Sequence, residues 1–180
     1  MSSLPGFIRN DEPRPVDVYS PPAVVEACRE AMGGIDLDPA SCAEANRVVR
    51  ADRYYTAADD GLAQPWSGRV FCNPPFNGGN VRRFALRMLA DYHAGSVSRG
   101  CLFAPMVGAK WVDELTAHAD ALMVMRFKLP WWGPAAKSTG AYVMGVWMLD
   151  PLRLPDCELS VGCYRNQRVA DPPLTLAVTR

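Results

Sequence analysis

Two consecutive prolines, Pro74 and Pro75, follow directly on the apolar run Val70-Phe71-Cys72, and no other feature constrains this chain as tightly. Proline fixes its own φ, lacks an N–H and biases the preceding residue toward extended backbone, so neither a strand ladder nor a helix continues through the pair. Gly68 marks a turn just upstream, and Arg69 to Cys72 therefore reads as a short buried strand that stops at a stiff corner. The corner places the Asn73 side chain, and the carbonyls of Asn73 and Pro74, at the rim of a sheet. In open α/β sheets the rim at the carboxyl ends of the strands is where ligands bind. Read without that context, Asn73-Pro74-Pro75-Phe76 is only a proline-rich loop.

The 180 residues suit one domain with a substantial core. A hydrophobic content of 49% with 21% charged residues is that of a globular protein. No apolar run of membrane-spanning length and no signal-peptide pattern is present, so a cytoplasmic protein without a membrane partner is expected. Cys28, Cys42, Cys72, Cys101, Cys157 and Cys163 form no Cys-x-x-Cys pair, and His93 and His118 stand apart in sequence. Buried apolar cysteines and no metal site are the expectation.

Net charge is zero, which argues against a strong non-specific grip on nucleic acid. The charges are nonetheless segregated. Asp36 to Asp60 holds six acids and three bases, whereas residues 80 to 110 hold five bases (Arg82, Arg83, Arg87, Arg99 and Lys110) against Asp91 alone. An acidic stretch suits a cationic ligand and a basic one suits a phosphate backbone. A solvated helix face accounts for the arginines equally well.

Along the chain, residues 1–15 lack periodicity and read as a flexible arm. Tyr19-Ser20-Pro21-Pro22 opens a helix, with Ser20 expected as N-cap and Pro21 as its first residue, and Gly33-Gly34 closes it. Ile35 to Asp38 reads as a short strand broken at Pro39, with Ala40 and Ser41 as small residues beyond it. Asp38 serves either a bound ligand or the N-terminus of a helix over 42–50. Only 34 residues, positions 39 to 72, separate Asp38 from Asn73. That leaves room for one short strand near Arg53 to Tyr55, so the first half of the sheet is abbreviated. Asp59-Asp60-Gly61 reads as a turn whose carboxylates also face a ligand. A helix after Gly79, a strand from Cys101 to Met106, a helix over 110–119 and strands at 121–127 and 140–149 complete the alternation. This predicts an α/β domain over 16–150, with a mostly parallel twisted sheet and helices on both faces. Residues 151–180 are expected to form an edge hairpin or extension. The loop Lys128 to Pro134, with Trp131, Trp132 and nearby Lys137, has the aromatics and charge of a nucleic-acid contact; capping the core is the competing reading.

The order Tyr-Ser-Pro-Pro, Leu-Asp-Pro-Ala-Ser, Asp-Asp-Gly-Leu and Asn-Pro-Pro-Phe resembles the small phage-type, Dam-like DNA N6-adenine methyltransferases over roughly residues 18 to 150. The resemblance implies an abbreviated Rossmann-like fold that uses S-adenosylmethionine to methylate adenine in DNA. It assigns catalysis to Asn73, Pro74, Pro75 and Phe76, and cofactor contact to Tyr19, Ser20, Pro21, Asp38, Pro39, Ala40 and Asp60. Contact with DNA falls to Arg82, Arg83, Lys128, Trp131, Trp132 and Lys137. The residue types suit that chemistry. An aromatic amine is a poor nucleophile, and acceptors aimed at its protons free the lone pair, while Phe76 stacks on a base rotated out of the duplex. Two departures stand out: the glycine-rich first motif is missing, and Trp131-Trp132 has no counterpart in the family pattern.

The same four residues serve methylation of protein glutamine, another planar amide nitrogen. A catalytically silent DNA- or cofactor-binding module of the same fold is the third reading, motivated by the missing glycines.

Overall fold

The computed structural model describes residues 18–76, 79–106, 108–125, 130–133 and 143–150. The expected arm at 1–15, the hairpin at 151–180, and Lys128 and Lys137 lie outside them. Six strands form one sheet: β1 (Leu37–Asp38), β2 (Arg53–Tyr54), β3 (Gly68–Cys72), β4 (Val97–Pro105), β5 (Ala121–Met125) and β6 (Met144–Leu149). Four helices accompany it: α1 (Pro22–Met32), α2 (Ala43–Val49), α3 (Asn80–His93) and α4 (Lys110–His118).

The strand order is β2-β1-β3-β4-β6-β5. β1 pairs in parallel with β2 and β3, and β3 in parallel with β4, whereas β6 runs antiparallel to both β4 and β5. The sheet is thus mixed, which corrects the expectation of a mostly parallel one. β6 doubles back and inserts between β4 and β5. An apolar run buried on both faces looks alike in either direction, so strand polarity was not written in the composition of residues 144–149. β6 also begins at Met144 rather than 140.

Helices cover both faces, as expected. Val24, Val25, Cys28 and Met32 of α1 and Val49 of α2 bury against Phe71, Cys101, Phe103, Val146 and Met148. On the other face Phe84, Ala85, Met88 and Leu89 of α3 and Trp111 and Leu115 of α4 cover Val70, Cys72, Leu102, Trp147 and Leu149. The alternation Phe71/Cys72, Cys101/Leu102/Phe103 and Val146/Trp147/Met148 is the period-2 pattern of strands with two dry faces. Cys28, Cys42, Cys72 and Cys101 are free and buried.

Local chemistry sets the ends of α1. Pro22 is its first residue and Pro21 takes the N-cap position without a side-chain cap, which displaces Ser20 from the expected role by one place. Gly33 ends the helix at φ 75°, where a side chain would be strained, and Gly34 N–H returns to Arg29 O at 2.9 Å. Arg69, at the start of β3, is bound to Asp36 through its backbone N–H (2.7 Å) and its guanidinium, and it also reaches Gly33 O. This pair fastens the α1–β1 junction to β3. The Arg69 guanidinium holds the Asp36 carboxyl below the usual range.

Candidate functional site at the ends of β1 and β3

β1 is flanked by β2 on one side and β3 on the other, so the chain leaves β1 in one direction and β3 in the opposite one. Where successive connections diverge in this way, the two loops part and leave a crevice outside the carboxyl ends of the strands. Asp38 ends β1, and Asn73 follows the last residue of β3. The register Leu37↔Val70 sets these two strand ends side by side.

Asn73 is half-buried, Pro74 is buried, and Pro75 and Phe76 are exposed. The corner is neither sealed nor detached from the fold. Asn73 Oδ1 is itself buried and accepts no hydrogen bond. Such an orphan costs about 1–3 kcal/mol, so its persistence in the fold calls for an explanation.

Asp38 is only 3% exposed. Burial pushes its carboxyl up to about 7, against the pull of the Ala40 N–H (3.1 Å to Oδ1). Burial also pushes the Cys72 thiol up, with the nearby Asp38 charge adding to it, which places Asp38 close to the end of β3. Asp38 does not cap α2: the Cys42 thiol does, accepting from Ala45 N–H at 3.4 Å.

The loop after β1 is tied to the strand beside it. Tyr55 N–H donates to Asp38 O and Ser41 N–H to Tyr55 O, both at 2.9 Å. The next turn closes over this loop. Gly61 stands so near Pro39 that an added Cβ would lie 1.9 Å from the Pro39 carbonyl oxygen, so only glycine fits. Trp66 Nε1 holds the same turn by donating to Gly61 O at 2.7 Å. The structure also separates the two turn acids. Asp59 accepts from Thr56 N–H and Oγ1 (2.7 and 2.8 Å), bonds that hold its carboxyl below the usual range. Asp60 is exposed at φ 50°, and its carboxylate has no partner among the described residues.

Tyr19, Ser20 and Pro21 join the same corner from the other direction. Tyr19 is buried, and its hydroxyl accepts from Cys42 Sγ at 3.6 Å, beside the loop after β1. Tyr19 N–H donates to Trp132 O at 2.9 Å, and Trp132 Nε1 donates to Ser20 O at 2.8 Å. The Tyr19 and Trp132 rings meet edge-on at 4.8 Å. Trp131 stacks on Phe103 (5.4 Å, 24°) and stands nearly perpendicular to Phe76 (6.2 Å, 79°). Both tryptophans are therefore half-buried parts of the corner. Of the two readings open for Trp132, anchoring the fold is the one these contacts describe.

The basic stretch divides. Arg87 binds Asp91 (2.6 Å), Leu62 O (2.8 Å) and Gln64 O (3.1 Å) and lies over the Trp66 ring, so it braces the 59–66 turn against α3. Arg99 binds Met32 O and pairs with Asp150. Arg82 and Arg83 are exposed at the start of α3, with only a long contact from Arg83 to Asn80 Oδ1. The sequence singled out neither Phe103 nor Arg87 for the site. Phe103 looks like any core residue of a buried strand, and Arg87 differs from Arg82 only by its place on the helix face.

Among the described residues no group of three or more His, Cys, Asp and Glu is arranged to hold a metal ion, and no helix is long and apolar enough to cross a membrane. Compared with known proteins, the chain matches no family model, no curated protein and no solved structure.

Proposed function

We propose that this protein transfers a methyl group from S-adenosylmethionine to the N6 amine of adenine in DNA, on an abbreviated Rossmann-like sheet whose β1–β3 divergence holds both reactants. The observation that carries the reading is the buried, unpartnered Asn73 Oδ1 held by a diproline corner beside Asp38. Its complement is an N–H donor, and an exocyclic amine brings two. With the Pro74 carbonyl as second acceptor, both amine protons are held and the nitrogen lone pair is released from the ring. Preorganised acceptors of this kind act without reorganisation cost at the moment of reaction. Phe76, 42% exposed on the same corner, offers a ring to the base.

The residues around β1 suit the cofactor. Asp38 is a buried carboxyl that a cationic group would draw into its charged form, Asp60 has a free carboxylate for hydroxyls, and Tyr19 lies against the intervening loop. When bound, S-adenosylmethionine supplies the methyl group: the new N–C bond forms as the S–C bond breaks, S-adenosylhomocysteine leaves, and the amine gives up one proton to solvent.

The test is methyl transfer from labelled S-adenosylmethionine to unmethylated plasmid DNA by the purified chain and by Asn73→Ala. Loss of one preorganised polar contact predicts a drop in kcat on the order of 100-fold or more. Cofactor affinity by calorimetry is expected to persist. Label on protein glutamine but never on DNA would replace this reading with the amide enzyme. No cofactor binding would replace it with the silent module.

A further inference from the structure

Three aromatic rings run without a break from the core to the surface beside Asn73. Phe103 in β4 is fully buried, Trp131 is half-buried and stacks on it, and Phe76 is 42% exposed and meets Trp131 nearly at a right angle. Phe76 and Val143 are the large apolar side chains most exposed among the described residues. A single exposed phenylalanine needs no explanation by itself. This one is held on both sides, by the diproline before it and by the Trp131 ring. Trp131 is fixed in turn by Phe103 and by its neighbour Trp132, whose carbonyl and indole N–H bind Tyr19 N–H and Ser20 O.

A perpendicular ring pair covers at most one face of Phe76, so a face remains for a flat partner. An aromatic wall fixed before the substrate arrives binds without loss of side-chain freedom. It rewards a planar ring, since stacking on aromatic side chains is tolerant of sequence and strong for every nucleobase. A flexible peptide amide gains little from it.

We infer that Trp131 is a positioning residue for the substrate base: anchored on Phe103, it holds Phe76 with a ring face open, and so selects an unstacked nucleobase over a peptide amide. The inference rests on the methyl-transfer reading above. Trp131 acts through Phe76 and not on the reacting atoms. Its loss therefore falls on the substrate and leaves the cofactor, bound around Asp38, untouched.

Steady-state kinetics on unmethylated plasmid DNA test this with the unaltered chain, Trp131→Ala, Trp131→Phe and Trp131→Leu. Cofactor affinity is followed by calorimetry and folding by thermal melting. Loss of a stacking contact predicts a rise of roughly 10- to 100-fold in KM for DNA in Trp131→Ala. Cofactor affinity is expected to hold, and Trp131→Phe to recover most of the loss. Unchanged KM and kcat in a folded Trp131→Ala protein would overturn the role. Should the alanine variant fail to fold, the leucine and phenylalanine variants decide. Both fill the space and only one keeps a ring, so equal KM values would overturn the inference, and a lower KM for phenylalanine supports it. Transfer by the unaltered chain to a peptide amide alone removes the adenine reading and this role with it. Transfer to DNA that ignores Trp131 removes this role alone.

Discussion

Asp38 and Asn73 are the two polar side chains that the fold brings to the ends of adjacent strands at a cost. For Asp38 the cost depends on pH. Its folded pKa, about 7, lies above the ordinary carboxyl value, so the folded state holds this proton more tightly than the unfolded chain does. Its effect on stability is therefore most favourable below pH of about 4 and is lost progressively as pH climbs through 7, at up to about 1.4 kcal/mol per pH unit. Asp36 and Asp59, both shifted downward, work with the opposite sign, their stabilisation fading only in acid. The clean comparison is hence between the unaltered chain and Asp38→Asn. The asparagine variant should gain in relative melting temperature from pH 5 to 8 in the absence of ligand. A constant difference across that range would show that Asp38 ionises freely. The corner at Asn73 was legible in the sequence because proline chemistry is local. The Asp38 shift was not, because burial is created by neighbours distant in the chain.

Among the elements, the latch between the segment before α1 and the Trp131-Trp132 turn joins parts of the chain over a hundred positions apart. Trp132→Ala removes the indole bond to Ser20 O and the edge contact with Tyr19. Losing a hydrogen bond and part of an aromatic contact predicts a destabilisation of about 1–3 kcal/mol, read from denaturant unfolding. An unaltered midpoint with weakened DNA binding would return Trp132 to the nucleic-acid surface. Periodicity made α1, α3 and α4 readable, and the strand at Gly68–Cys72 followed from glycine and proline punctuation. The latch was not readable, since a Trp-Trp pair in a loop carries no information about which backbone it will meet. The cap of α1 shifted by one residue because two successive prolines both suit a helix start, and the second took the first helical place.

For the whole molecule, the abbreviated first half had a sequence origin: 34 residues between Asp38 and Asn73 left room only for α2, β2, the 56–64 turn and β3. The insertion of β6 between β4 and β5 had none. What places the site is the divergence of β1 and β3, which needs only the strand order. Most described bases are committed to internal pairs: Arg29 and Arg50 to Glu26, Arg47 to Glu44, Arg69 to Asp36, Arg87 to Asp91 and Arg99 to Asp150. Arg53, Arg82, Arg83 and Lys110 remain for phosphates among the described residues, on a chain of zero net charge. Few neutralised phosphates give a shallow dependence of DNA affinity on salt, a log–log slope between about −2 and −4. A slope near −8 would assign the grip to a broad basic surface and not to the corner at Asn73. The most direct test of that corner is the identity of the methylated product. DNA treated with the protein and S-adenosylmethionine, digested to nucleosides and resolved by mass spectrometry, should contain N6-methyladenine, with none above background for Asn73→Ala. Methylcytosine alone, or N6-methyladenine made equally well without the Asn73 amide, would contradict it.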